Sequence, residues 1–122
     1  MTYSIKELAA ILKMAKAMAQ ADGTIAKEEL AFIVNELKNF GATSQIKQIE
    51  DLGDAMDASE AFAILSNLNS SQKKYACAYL GTICTVDGNI NEKEISMWSL
   101  ISLLSGFPTM HITDAIKFWA NN

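Results

Sequence analysis

The sequence predicts an all-α domain, a compact bundle of about seven helices, and three observations support this. Apolar residues recur at steps of three and four along most of the 122 residues, the period of a helix with one buried face. No run alternates apolar and polar residues for long enough to predict a strand. Half of the residues are hydrophobic, with only six glycines and one proline, which excludes a disordered chain and a turn-rich β-sandwich.

The first two helices have clear start and stop signals. Ser4 and Glu7 form the pattern of a capping box at the start of the first helix. The apolar face that follows consists of Leu8, Ile11, Leu12, Ala15, Met18 and Ala19. A second helix is predicted over 26–40, with Leu30, Ile33, Val34 and Leu37 facing inward. Gly41 is placed to end this helix in a left-handed conformation.

Two shorter helices are predicted in the middle of the chain. Ser44 is expected to cap the third helix, and Asp57 with Glu60 forms a capping-box pattern that opens the fourth. The apolar residues of these two helices are Ile46, Ile49, Leu52, Met56, Phe62, Leu65 and Leu68.

Three further helices follow the break at 69–71. The fifth is expected to end at Asp87-Gly88, the sixth covers 92–105 and is closed by Gly106, and the last covers 110–120. Their inward residues are predicted to be Tyr75, Ala76, Tyr79, Leu80, Ile83, Ile95, Trp98, Ile101, Leu104, Ile112, Ile116 and Trp119.

Charge limits the classes of partner. Ten Lys and Arg against fourteen Asp and Glu leave a net charge of −4, which argues against nucleic acid or an anionic membrane as the main partner. The sequence contains no stretch of about 18 uncharged apolar residues, so no transmembrane helix is predicted. Charged residues within the N-terminal apolar pattern argue against a signal peptide, so we expect a cytoplasmic protein with a protein partner.

The two cysteines are expected to be buried thiols. Cys77 and Cys84 are seven residues apart on one predicted helix, so their Cα atoms lie about 10 Å apart, too far for a disulfide. A single histidine and the lack of a CxxC pair exclude a zinc site with the usual ligands.

The chain contains an internal repeat at an offset of 65 residues. The segment 22–30 aligns with 87–95 through the shared string D-G-x-I-x-x-x-E, followed by Leu or Ile. This predicts a pseudo-twofold pair of helix-turn-helix units within one domain over 1–122. The halves cover about 3–41 and 70–106, with an insert at 43–68 and a closing helix at 109–120.

Helix capping explains most of the repeated motif, but not its aspartates. Glu94 stands three residues after Asn91, the expected N-cap of its helix, and Glu29 stands three residues after Ala26, a poor N-cap; a capping box places an acidic side chain at this position. Asp22 and Asp87 stand at helix C-termini, where a negative charge meets the negative end of the helix dipole. Two accounts remain open: a hydrogen bond from each aspartate to its own turn, or a cation shared with the glutamates.

The same spacing partly matches a calcium-binding EF-hand loop. Counted from the glycine at position six, the apolar residue and the glutamate fall at positions eight and twelve. Positions one and three are held by Met18 and Gln20 in the first copy and by Ile83 and Thr85 in the second, which excludes a true EF-hand. Any ion bound at these turns would have few carboxylate ligands and several water ligands, which favours weak binding of Mg²⁺ or Ca²⁺.

With its paired D-G-x-I-x-x-x-E turns, the chain resembles the tellurite-resistance TerB-like family, most strongly over 12–41 and 71–106. The resemblance implies a helical bundle with pseudo-twofold repeats, whose acidic turn residues chelate a metal. Carried over to this chain, the implied ligands are Asp22, Glu29, Asp87 and Glu94. It also implies a non-enzymatic accessory module in a stress response, some family members standing beside J-domain co-chaperones.

An acidic stretch supports a different hypothesis. Five acidic residues fall on the third and fourth helices: Glu50, Asp51, Asp54, Asp57 and Glu60. This 50–60 face is either a solvated surface or the docking surface of a metal-free adaptor or inhibitor for a basic partner. The sequence has no glycine-rich phosphate loop and no nucleophile elbow, so we do not expect an enzyme.

Overall fold

Seven α-helices and one short 3₁₀ helix make up the fold of the computed structural model, which describes residues 2–21, 23–41, 44–86, 88 and 90–121. They are α1 (Ile5–Ala19), α2 (Lys27–Leu37), the 3₁₀ helix (Lys38–Phe40), α3 (Ile46–Ala55), α4 (Ala58–Ser66), α5 (Ser70–Ile83), α6 (Glu92–Ser105) and α7 (Ile112–Ala120). No strand occurs in these ranges, and the predicted all-α class is confirmed.

Helix α1 lies at the centre of the molecule. It contacts α2, α3, α4, α5 and α6, and the whole predicted apolar face is buried. The predicted capping box is present, since the Glu7 amide donates to Ser4 Oγ and the Ser4 amide donates to Glu7 Oε1. Its position explains why α1 has small residues such as Ala9, Ala10 and Ala15, which let neighbouring helices approach closely.

Helix α5 forms the second part of the core. Tyr79 is fully buried and its hydroxyl donates to the Ile33 carbonyl at 2.7 Å, which ties α5 to α2. The Trp98 indole N–H donates to the Cys77 carbonyl at 3.0 Å and ties α6 to α5. Helix α7 packs on α5, where Trp119 lies 5.3 Å from the Tyr79 ring.

Three predicted core residues are exposed: Leu30 on α2, Leu104 on α6 and Ile116 on α7. The buried stripe of α2 is Glu29, Ile33 and Leu37, and that of α6 is Glu94, Trp98, Ile101 and Ser105. In both helices the stripe begins at a glutamate. The stripe runs through positions 29, 33 and 37 in α2 and through 94, 98, 101 and 105 in α6, so each leucine lies beside the stripe and is exposed. The expected orientation of both leucines was wrong for this reason.

Some predicted boundaries also differ. Gln45, not Ser44, precedes α3, and no side-chain hydrogen bond caps that helix. The last turn of the second predicted helix is the 3₁₀ helix, and α5 ends at Ile83 rather than at 87. The last helix begins at Ile112.

The turn glycines have the predicted backbone. Gly23 and Gly88 have φ of +109° and +86°, and Gly41 and Gly106 have φ of +91° and +67°. Both cysteines are buried and free, as expected. The pseudo-twofold relation between the halves stays a prediction. Within the described part of the chain, no helix is long and apolar enough to cross a membrane.

Candidate functional site

Two of the four predicted ligands are buried carboxylates. Glu29 in the first turn of α2 is 6% exposed, and Glu94 in the first turn of α6 is 3% exposed. Asp22 and Asp87 lie outside the residues that the structure describes. Burial of a carboxylate is costly unless the charge is compensated, which sets these two glutamates apart from ordinary residues of a first helical turn.

The chain places both glutamates by the same local geometry. Each is the third residue after an extended residue that precedes the helix, Ala26 before α2 and Asn91 before α6. Asn91 Oδ1 accepts from the Glu94 amide at 3.1 Å, the capping bond predicted from the sequence. Ala26 provides no side-chain cap, also as expected.

Cys84 connects the two glutamates electrostatically. Burial raises the pKa of its thiol to about 12, and the carboxylates of Glu94 and then Glu29 contribute to the rise. Both carboxylates therefore act on one buried thiol, although they stand on helices from different predicted halves. The sequence predicts only that Cys84 is a buried thiol. Its position three residues before Asp87 was the available signal.

The chemistry of this region suits a hard cation. Two carboxylates supply oxygen ligands, which Mg²⁺ and Ca²⁺ prefer. Among the described residues, no three His, Cys, Asp or Glu side chains stand close enough together to hold a metal ion. Glu29 and Glu94 therefore supply only part of a ligand set, and Asp22 and Asp87 are the predicted remainder.

Much of the acidic 50–60 face has local partners. Asp51 pairs with Lys47 at 2.8 Å, and Asp54 lies 3.8 Å from the Lys16 ammonium. Asp57 caps α4 by accepting from the Glu60 amide at 2.8 Å. Each of these ion pairs has an exposed aspartate and contributes little to stability. The stretch is thus a surface of partly compensated negative charge.

The chain is similar in sequence and in structure to a protein of known crystal structure. No protein-family model and no curated protein matches the chain. A crystal structure of a protein of unknown function, PG1108 from Porphyromonas gingivalis, matches with a TM-score of 0.91 and 41% sequence identity. The match covers 99% of this chain and 92% of that one. At this identity and coverage, the chain belongs to the same family as the Porphyromonas gingivalis protein.

Proposed function

We propose that the chain is a non-enzymatic, TerB-like helical module that binds one divalent cation, Mg²⁺ or Ca²⁺. The ligands are Asp22, Glu29, Asp87 and Glu94. The observation that carries this proposal is the burial of Glu29 and Glu94, both within electrostatic range of Cys84.

The physical argument rests on charge in a buried region. Two buried carboxylates that both act on one buried thiol raise the free energy of the folded chain when they are ionised, because burial removes them from water. A divalent cation offsets this cost and stabilises the fold in proportion to its occupancy. Because Glu29 stands on α2 and Glu94 on α6, the bound cation holds these two helices in a set orientation. The module then presents a constant surface to a protein partner in a stress response.

Calorimetric titration with Mg²⁺, Ca²⁺ and Mn²⁺ tests cation binding. At ten times the dissociation constant, a cation should stabilise the wild type by about 1.4 kcal/mol, which raises the melting temperature by several degrees. The double variant Asp22→Asn with Asp87→Asn should lose both the binding heat and the stabilisation. The matched control, Asp51→Asn with Asp54→Asn, removes the same charge from the 50–60 face and should retain both. No binding to the wild type at millimolar ion rejects the proposal.

The 50–60 face supports a second candidate, a metal-free adaptor for a basic partner. It is favoured by the exposure of Asp51, Asp54 and Glu60 on one stretch of surface. A Glu50→Lys, Asp54→Lys variant should lose binding to a basic probe such as a polylysine peptide. Asp57 is left unchanged because it caps α4. Equal binding by the variant and the wild type rejects this candidate.

A further inference from the structure

Helix α7 is attached to the rest of the molecule mainly through α5. It packs on α5, and its contacts with the other helices are slight. Ala115 is the one buried residue among its nine, whereas nine of the fifteen residues of α1 are buried. An element with few buried apolar contacts opens at a lower free energy than the core to which it is attached. Helix α7 is therefore less firmly attached than α1.

The chain just before α7 can act as a hinge. Phe107 is buried and its amide donates to the Ser102 carbonyl at 2.8 Å, which fixes the chain up to that point. Among the described residues, the amides of 109–111 donate no backbone hydrogen bond, and His111 provides no side-chain cap for α7. A change in backbone angles at Thr109 and Met110 therefore breaks none of the described backbone hydrogen bonds.

The surface of α5 beneath α7 is shaped to fit this helix at two points. A Cβ on Gly81 would lie 2.8 Å from the Ala115 Cβ, so the two backbones are close and this position of α7 accepts only a small side chain. One turn further on, the Trp119 ring lies 4.7 Å from that of Tyr75 and 5.3 Å from that of Tyr79. We call this surface of α5, defined by its three residues Tyr75, Tyr79 and Gly81, the α5 groove. It selects a helix with a small residue followed four positions later by an aromatic one.

The polar contacts of α7 lie at the edge of the α5 groove. The Trp119 indole N–H donates to Glu36 Oε1 at 3.4 Å, which is long for a hydrogen bond. The Lys74 ammonium lies 4.8 Å from the centre of the Phe118 ring, and this exposed contact contributes little. The hydrogen bond that ties α5 to α2, from the Tyr79 hydroxyl, does not involve α7. Departure of α7 therefore leaves that tie in place.

We propose that α7 detaches from the α5 groove as a unit while the other helices stay folded, and that it covers this groove against a partner protein. The partner supplies an amphipathic helix with the pattern of α7, a small residue that lies on Gly81 and an aromatic residue four positions later. Because α7 occupies the groove in the free chain, the partner binds only the opened form, and α7 is a built-in competitor. The inference does not depend on a bound cation.

The tether favours this occupant over α7 of a second copy. A short hinge gives the chain's own α7 an effective concentration of about 1 mM at the α5 groove. At micromolar protein, an identical helix from another copy is outcompeted by this local concentration. Displacement of α7 therefore requires a helix that fits the groove more tightly than α7 does.

Native-state hydrogen exchange in EDTA tests the detachment. The amides of 116–119 should exchange through an opening with a smaller urea dependence than the amides of α1, which exchange by global unfolding. Without urea their protection should be at least about tenfold lower than that of α1. Equal protection and equal urea dependence of the two helices would overturn the proposal, because α7 would then open only with the whole fold.

The variant Ala115→Leu should hold α7 open. A leucine does not fit against Gly81, so α7 should lose nearly all of its protection, while α1 keeps a protection of at least about a hundredfold. Trp119→Ala should act in the same direction and is the second variant if the leucine variant does not fold. Thr113→Leu, at an exposed position of α7, is the matched control and should leave α7 protected. Loss of α1 protection together with that of α7, or an α7 fully protected in both variants, overturns the proposal.

A labelled peptide with the sequence of residues 109–121 tests the α5 groove as a docking site. Its Kd for the opened Ala115→Leu protein should equal the effective concentration divided by the closing constant that exchange gives for the wild type. A closing constant of about 100 and an effective concentration of about 1 mM give a Kd of about 10 µM. By fluorescence anisotropy, binding to the wild type should be at least about tenfold weaker, because its groove is occupied. A peptide that itself carries Ala115→Leu should bind neither protein.

Three results of the peptide and sedimentation measurements contradict the docking site. One is no binding to the opened protein at ten times the calculated Kd. Another is equal binding to the opened protein and to the wild type, which places the peptide elsewhere. The third is a wild-type dimer at micromolar concentration that Ala115→Leu dissociates, which assigns the groove to a second copy of the chain.

Discussion

At the scale of the residue, the pKa of the Cys84 thiol depends on the charges of the two buried glutamates. Its thiol has a raised pKa because it is buried and because two carboxylates act on it, Glu94 more strongly than Glu29. A thiol reacts with alkylating agents as the thiolate, so its reactivity measures the negative field of the candidate site.

Glu94→Gln should therefore increase the alkylation rate of Cys84 by iodoacetamide at pH 8.5, and Glu29→Gln should increase it less. Neutralising a carboxylate lowers the thiol pKa and raises the fraction of thiolate. Mass spectrometry gives the rate for each cysteine, and buried Cys77 in the same sample corrects for any change in opening of the fold. Equal changes at both cysteines would contradict the electrostatic account.

Gly81 marks the closest approach between helices. A Cβ added there would lie 2.8 Å from the Ala115 Cβ and 2.8 Å from the Trp98 ring. Gly81→Ala should therefore lower the free energy of unfolding by about 1 kcal/mol, because overpacking of about 1–3 kcal/mol exceeds the helix-propensity gain of at most about 1 kcal/mol. Urea denaturation measures this, with exposed Gln48→Ala on α3 as the control. A more stable Gly81→Ala variant would show that α7 and α6 can move away from α5 at little cost.

At the scale of the element, the helices differ in how their N-termini are capped. Helix α5 has a complete capping box of Asn69 and Gln72, although the residues at 69–71 predict only a break between helices. Helix α2 begins at Lys27, and the preceding Ala26 has φ of −69° and ψ of 150°, which already suit a capping residue.

Ala26→Ser should accordingly stabilise the protein by about 0.5–1 kcal/mol, since a serine hydroxyl there can accept an amide N–H of the first turn. Asn69→Ala should destabilise it by about 1 kcal/mol. Urea midpoints give both values, and Ala63→Ser, exposed within α4, should be slightly destabilising. An Ala26→Ser variant no more stable than Ala63→Ser would show that the start of α2 is restrained by other contacts.

The sequence predicted where the helices lie along the chain better than it predicted which face of each helix is buried. Periodicity identified all seven helices, and every residue predicted for the buried face of α1 is buried, although Ala9, Ala10 and Met14 are buried there as well. Periodicity treats a glutamate as outward-facing, so it could not reveal that Glu29 and Glu94 begin the buried stripes, beside which Leu30 and Leu104 are exposed. The motif singled out both glutamates. Their common effect on Cys84 depends on contacts between distant helices, which no local pattern encodes.

Acid groups held protonated in the core make the whole molecule sensitive to alkali. The pKa values of Cys84, Tyr3 and Tyr79 are all raised, chiefly by burial. The unfolded chain releases these protons near the ordinary values of 9.0 for cysteine and 10.0 for tyrosine, while the folded chain retains them. The contribution of these groups to the free energy of unfolding is fully present below pH 9. It should be lost as the pH rises above 9, because the unfolded state then binds fewer protons than the folded state.

Urea denaturation between pH 8 and pH 10.5 measures that fall. Cys84 alone contributes up to about 1.4 kcal/mol for each pH unit above 9. A Cys84→Ala variant should show a shallower slope between pH 9 and pH 10. A wild-type stability that does not change over this range would contradict the raised pKa values.

The most direct test of the account is a double-mutant cycle on cation-dependent stability. The rise in melting temperature with Mg²⁺ or Ca²⁺ is measured for the wild type, Glu29→Gln, Glu94→Gln and the double variant. If one cation is shared by both carboxylates, each single change should remove nearly all of the rise and the double change should remove no more. Losses that simply add, or a wild type whose melting temperature does not respond to either cation, would contradict a shared site.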